Sequence, residues 1–119
     1  RTKARSRTVN GVNEIMFRDA TSPNGPTVNA TTYSTYRAGH KYDSDIVFWD
    51  GAKSYFVGTT GCAAGFYIED TATHEFGHLL GLDHSPEPMA TMYGKTKPCN
   101  PSRRTLHVDD KDSLRALYP

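Results

Sequence analysis

The chain has 119 residues, 36% of them hydrophobic, and a formal net charge of +1. That length and apolar content suffice for one compact domain over residues 1–119 and are too small for two. The near-neutral balance gives no general argument for nucleic acid, and no run approaches the roughly 18 apolar residues that suggest a membrane span.

The sequence opens directly on Arg1, Thr2 and Lys3, so it reads as a mature or trimmed form from which a targeting segment and any inhibitory propeptide have been removed. Arg1, Lys3, Arg5 and Arg7 alternate with Thr2, Ala4, Ser6 and Thr8. A strand would place all four charges on one face, as a solvated surface, a frayed terminus or a polyanion contact. Glu14 to Arg18 reads as a buried strand, and Ser22, Pro23, Asn24, Gly25 and Pro26 form a dense turn signal. Thr27 to Tyr36, rich in threonine and tyrosine, predicts an extended strand, and Asp45 to Trp49 another. Asp43, Asp45 and Asp50 are candidate calcium ligands, weighed against ordinary surface charge because no ordered ligand series accompanies them. Asp50, Gly51 and Ala52 make a turn, and the glycine-rich stretch from Gly58 to Gly65 a loop.

Glu69 and Asp70 come next, placed to cap a following helix and oppose its dipole. That helix carries the densest chemistry in the chain: His74, Glu75, Phe76, Gly77, His78, Leu79, Leu80, Gly81, Leu82, Asp83 and His84 run consecutively. At about 3.6 residues per turn, His74 and His78 lie roughly 40° apart around the axis and one turn along it, so both rings can meet one metal ion. Glu75 sits on the flank of that face and can reach a water on the metal without taking a coordination position. If the helix continued, His84 would lie roughly 9 Å further on and about 120° off the face, so the helix has to stop. Gly81 stands where a glycine can close it in the left-handed conformation. Three histidines leave the fourth position of a tetrahedral zinc open, which is the arrangement of a catalytic site.

A bare H-E-x-x-H arises by accident in about one chain of this length in a few hundred, and the full eleven-residue pattern in on the order of one in 10⁵. His40 and His107 lie outside the pattern and are expected to touch no metal. Met89 reads as a flexible gap-filler in the core.

The histidine run resembles the zinc-binding signature of the metzincin metalloproteases, which is accompanied by a downstream Met-turn. Here Ala90, Thr91, Met92 and Tyr93 supply such a turn, and the resemblance implies that Met92 forms an apolar floor beneath the imidazoles. Ser85 after the third histidine, the Thr91-Met92-Tyr93 setting and the closing stretch Arg104 to Pro119 with paired Asp109 and Asp110 resemble the matrixins, closest to short bacterial members. Gly94 stands where astacins and serralysins carry a further tyrosine ligand. It also replaces the proline that usually follows the Met-Tyr pair of matrixins. The long loop that holds a structural zinc in vertebrate matrixins is absent here.

The resemblance implies an α+β fold with a twisted, mostly parallel sheet and an antiparallel edge strand, a zinc helix and a C-terminal helix. The Thr27 to Tyr36 strand would be the edge that bounds the cleft, and the family's N-terminal strand and helix have no room before Asn13. It implies a zinc-dependent endopeptidase with metal ligands His74, His78 and His84, general base Glu75, and one catalytic Zn2+. The partners it implies are a peptide or protein substrate and a propeptide or protein inhibitor, for a secreted monomer. The pocket beside the metal would be walled by the segment starting at Tyr93, with Asp70 able to close its inner end. Cys62 and Cys99 make one candidate bond, and a similar pair occurs in matrixin-like bacterial sequences; a thiolate as fourth zinc ligand is the competing reading. The alternative to an enzyme is a zinc-binding but inactive fragment or binding module, which has no use for Glu75.

Overall fold

A computed structural model describes residues 8–119. The alternating basic residues from Arg1 to Arg7 lie outside the described residues. The chain falls into two compact units, one running up to Lys53 and the other from Ser54 to Pro119. Among the described residues, five strands and two helices make an α+β arrangement.

The first unit is a three-stranded sheet of β1 (Ile15–Arg18), β2 (Ala30–Arg37) and β3 (His40–Trp49), in the order β1-β3-β2. β3 is central and buried from Asp43 to Trp49, which is why its apolar residues form a continuous run instead of alternating with polar ones. β1 pairs with it in parallel, setting Ile15 opposite Ile46 and Phe17 opposite Phe48. β2 pairs antiparallel and occupies an edge. Among the described residues the antiparallel edge strand is as expected, while one parallel and one antiparallel pair make this sheet mixed and not mostly parallel.

β3 starts five residues before the expected Asp45, because Ala38 and Gly39 close a two-residue hairpin with φ of 50° and 78°. Two positive φ values at the centre of a hairpin match the right-handed twist of the strands it joins. Met16, Val47 and Trp49 form the core of the unit, with Val28 and Tyr33 packed against them, and the Trp49 indole donates to Thr31 Oγ1 at 2.9 Å. β1 is buried only at Met16; Ile15 is 56% exposed, as alternation on an edge strand requires.

Asp43, Asp45 and Asp50 do not converge. Asp43 Oδ2 accepts from the backbone N–H groups of Asn10 and Gly11, and Asp45 Oδ1 from that of Glu14, so these two buried carboxylates strap residues 10–14 onto β3. Asp50 lies beyond the opposite end of the strand. Among the described residues, the one group of three or more candidate metal ligands is His74, His78 and His84. The three aspartates weighed as candidate calcium ligands therefore do not form one group.

The second unit holds β4 (Tyr55–Phe56) and β5 (Phe66–Tyr67), paired in parallel, and the helices α1 (Ile68–Leu79) and α2 (Val108–Leu117). α2 begins with a capping box: His107 Nδ1 accepts from the Asp109 N–H, and the His107 N–H donates to Asp110 Oδ2. This gives His107 a structural role outside the metal pattern. Cys62 and Cys99 are joined by a disulfide with Cα atoms 5.6 Å apart, and the Cys99 N–H donates to the Gly65 carbonyl at 2.9 Å.

Closing a loop between cysteines 37 residues apart stabilises the fold by about 4 kcal/mol in the chain-entropy model. Replacing both Cys62 and Cys99 by serine should lower the thermal midpoint by at least about 10 °C in a domain this small. An unchanged midpoint in the double variant would show that the bond constrains nothing.

Candidate metal centre

α1 ends where the ligand pattern needs it to. Leu80 is the last residue with helical torsions, and Gly81 follows with φ of 104°. The Gly81 N–H donates to the His78 carbonyl and the Leu82 N–H to the Gly77 carbonyl, both at 2.9 Å. These two bonds are the Schellman closure, which satisfies orphan carbonyls while reversing the chain. The reversal does a second job. It turns the Leu82 carbonyl onto the ring of His78, whose Nδ1 lies 2.7 Å from it.

His74 is oriented from further along the chain. Its Nδ1 lies 2.7 Å from the carbonyl of Thr91, the residue before Met92. Thr91 is itself fixed on three sides: its N–H donates to Asp110 Oδ2 at 2.8 Å, its hydroxyl donates to the Arg103 carbonyl at 2.7 Å, and the next N–H, of Met92, donates to Asp110 Oδ1 at 3.0 Å. Asp110 thus gathers three backbone donors, counting that of His107. Its place in the first turn of α2 adds the favourable helix dipole.

Two glycines make room for these contacts. A Cβ on Gly77 would overlap the Met92 sulfur, and one on Gly94 would stand 2.9 Å from His84 Nδ1. Gly77 therefore allows buried Met92 to press against the helix between its two histidines. Gly94, in place of the expected proline, lets the chain pass close to the third ring. Ser85 locks the loop to that segment, its N–H donating to the Met92 carbonyl at 2.8 Å and its hydroxyl to Asp109 Oδ2 at 2.5 Å.

The donor atoms fit a metal ion. A carbonyl only accepts, so Nδ1 of His74 and of His78 must each carry a proton, and each Nε2 of the neutral rings then bears a lone pair. Those two Nε2 atoms stand 3.1 Å apart. Two lone pairs facing each other repel, whereas two nitrogens bound at about 2.05 Å in a tetrahedral zinc stand about 3.3 Å apart. One ligand atom from each of His74, His78 and His84 lies within 4.8 Å of the others. Burial lowers the pKa of His74 to about 4, outweighing the Thr91 hydrogen bond, with His78, His84 and Arg103 lowering it further. Desolvation and then His78 lower that of the more exposed His84, against Asp83, which raises it. Near neutral pH His74 is therefore uncharged and its lone pair available. Glu75, next to His74 on the helix, is 5% exposed.

Asp70 lies in the first turn of α1, where an acidic residue opposes the dipole as expected, but it does not cap the helix. The N-cap of α1 is Tyr67, with no side-chain cap bond, and Asp70 is 2% exposed in the first turn. Its Oδ1 accepts from the Arg104 N–H at 2.8 Å, and its Oδ2 from Arg104 Nε and Nη2 at 3.0 and 2.5 Å. The carboxylate is thus paired with Arg104. Met89, expected in the core, is 63% exposed. His40 lies at the exposed start of β3, outside the metal cluster. Tyr93 is half-buried and bridged in parallel to Ser85. Sequence reasoning passed over Gly77, Thr91 and Arg103 as site residues. Gly77 was visible inside the histidine run, while nothing local marks Arg103.

A family model described as matrixin matches residues 14–119. Matrix metalloproteinase-20 of Homo sapiens is 39% identical over 88 residues, 74% of this chain and 17% of the relative's length. Neutrophil collagenase of Homo sapiens is 41% identical over 59 residues, 50% of this chain and 13% of that protein, and Metalloendoproteinase 1 of Glycine max 44% identical over 55 residues, 46% and 18%. The chain thus spans less than a fifth of the length of each of these relatives.

Adding a methyl group at Gly77 should drive Met92 and its neighbour Thr91 away from α1. Gly77→Ala is expected to cost about 1–3 kcal/mol of stability and to weaken zinc binding by about 10–100-fold, since displaced outer partners loosen their ligands. Chelator-competition titration and thermal unfolding measure the two effects. Unchanged zinc affinity would detach Met92 packing from ligand placement.

Proposed function

The chain belongs to the matrixin family, and we propose that residues 1–119 form a zinc-dependent endopeptidase domain that cleaves peptide bonds with Glu75 as general base. The observation that carries this reading is the pairing of His74 and His78, whose Nδ1 protons are committed to carbonyls and whose Nε2 lone pairs face each other, on a helix that also carries the buried Glu75. His74, His78 and His84 would hold the ion. When bound, zinc supplies a water with pKa near 7 and polarises the carbonyl of an entering peptide.

The chain's own residues do the rest. Thr91 and Leu82 keep the two helical imidazoles in the tautomer that presents Nε2, so no reorientation is needed when a ligand arrives. Glu75, largely screened from bulk water, accepts the proton of the attacking water and then delivers it to the leaving amine. A module that only bound metal would need the histidines and would gain nothing from a buried glutamate beside them. That glutamate favours the enzyme over the inactive fragment or binding module.

The Cys62–Cys99 bond belongs to an oxidising compartment, and with the family it supports an exported protein. Protein or peptide substrates follow from the same reading.

Glu75→Ala should retain zinc stoichiometry and fold while lowering hydrolysis of a fluorogenic peptide by several orders of magnitude, because it deletes the base and spares the ligands. Retained turnover would require another base and would overturn the assignment.

A further inference from the structure

At the tip of the β2–β3 hairpin, each strand sets a cation over a tyrosine of the other. The Arg37 guanidinium of β2 lies over the Tyr42 ring of β3 at 3.7 Å, and the Lys41 ammonium of β3 lies 5.9 Å from the centre of the Tyr36 ring of β2. Arg37, His40 and Lys41 are all exposed, and no acidic residue occurs anywhere from Ala20 to Tyr42. The next carboxylates along β3, Asp43 and Asp45, are fully buried and accept from backbone N–H groups. Among the described residues Arg37 forms no ion pair.

This arginine is held in place from behind. Asp43 Oδ2 draws the N–H groups of Asn10 and Gly11 onto β3, and a Cβ on Gly11 would stand 2.9 Å from the Tyr42 hydroxyl oxygen. Gly11 therefore lets the strap pass against the ring on which Arg37 rests. The register shift between Thr35 and Tyr36 leaves Tyr42 as the extra residue of β3, and a bulge of this kind re-aims a side chain. Stacking uses the face of a guanidinium and leaves the N–H donors on its edge free, so Arg37 presents a fixed fork of the kind that binds sulfate, phosphate or carboxylate through parallel bonds. His40 is its register partner across the turn, which places both side chains on one face of the hairpin. A cross-strand clasp needs only an aromatic and a β-branched residue. Cations without an acid in the exposed half of the hairpin repel one another, and the clasp alone does not account for them.

We propose that the hairpin tip, centred on Arg37 with His40 and Lys41 beside it, binds the sulfate groups of a sulfated polysaccharide. The inference is independent of the endopeptidase reading. The turn residues Ala38 and Gly39 offer no large apolar side chain to enter a lipid layer. The Tyr42 ring carries Arg37 and has the Gly11 strap packed against it, so it holds a cation and is no open platform for a stacked nucleobase. What remains is recognition by charge of anions spaced along a polymer. The Cys62–Cys99 bond, formed in an oxidising compartment, favours an extracellular polymer of this kind over a nucleic acid.

The test measures, by calorimetry on the full zinc-loaded chain, the affinity for a heparin hexasaccharide as the sulfated probe and for its desulfated counterpart. The sulfated probe should bind about tenfold tighter or more, and the advantage should shrink as salt is raised. Arg37→Met should weaken its binding about tenfold. Tyr42→Leu keeps every charge and removes the ring under the guanidinium, and should weaken binding about threefold. Arg37→Lys keeps the charge and loses the fork, and should also weaken binding, so the site stays testable if Tyr42→Leu does not fold. Arg115→Met removes an exposed cation on α2 and should change the affinity less than about twofold. Equal losses for Arg37→Met and Arg115→Met, with none for Arg37→Lys, would show diffuse attraction by net charge and overturn the site. Equal affinity for the desulfated probe, or no binding of either, overturns it as well. A single-stranded oligonucleotide of matched charge that binds as tightly, with the same dependence on Arg37, would overturn the assignment to a polysaccharide.

Discussion

Three imidazoles from eleven consecutive residues can face one ion only if the chain reverses between His78 and His84, and everything else at the site depends on that reversal. Gly81 makes it possible, because a side chain with φ of 104° would be strained. The same closure turns the Leu82 carbonyl onto His78 and carries His84 and Ser85 alongside Met92, Tyr93 and Gly94. A local rule of helix termination thus sets ligand geometry, ring tautomer and the path of the neighbouring turn together.

The second support comes from the far end of the chain. Asp110 accepts from the N–H groups of Thr91, Met92 and His107, and each hydrogen bond to a charged group is worth about 1.5–3 kcal/mol. Asp110, Thr91 and Met92 are all buried, so the two turn donors have no water to turn to. Through Thr91, the start of α2 controls which way His74 points. Arg103 and Arg104 complete this connection, one beside Ala90 and Tyr93, the other on Asp70 at the start of α1. Residues far apart in sequence therefore share a single task, which is to hold α1 and the Met92 turn in register.

Much of this was legible in the sequence, and the reasons for the rest are specific. The histidine run and Gly81 obey helical geometry, which is local, so spacing alone predicts their convergence. The β2–β3 hairpin was missed because Ala38-Gly39 is a weak turn signal, although the backbone there takes the usual positive torsions. Asp70 was assigned to a cap or a pocket because its partner is 34 residues away, and no periodicity reports such a pair. Asp43 and Asp45 suggested a cation, yet they serve as backbone acceptors for a loop 31–33 residues earlier. Met89 was assigned to the core because it is apolar, and burial at a single loop position is not written in residue type. Arg103 lacked any local mark, since the carbonyls of Ala90 and Lys95 that its guanidinium reaches lie 13 and 8 residues earlier.

The central claim is that His74, His78 and His84 together hold one zinc and leave a place for water. Zinc K-edge X-ray absorption on protein loaded with one equivalent of metal addresses it directly. The account predicts three imidazole nitrogens and one light oxygen donor at about 2.0–2.1 Å, with no sulfur in the first shell. Fewer than three imidazoles, or a sulfur at about 2.3 Å, would contradict it.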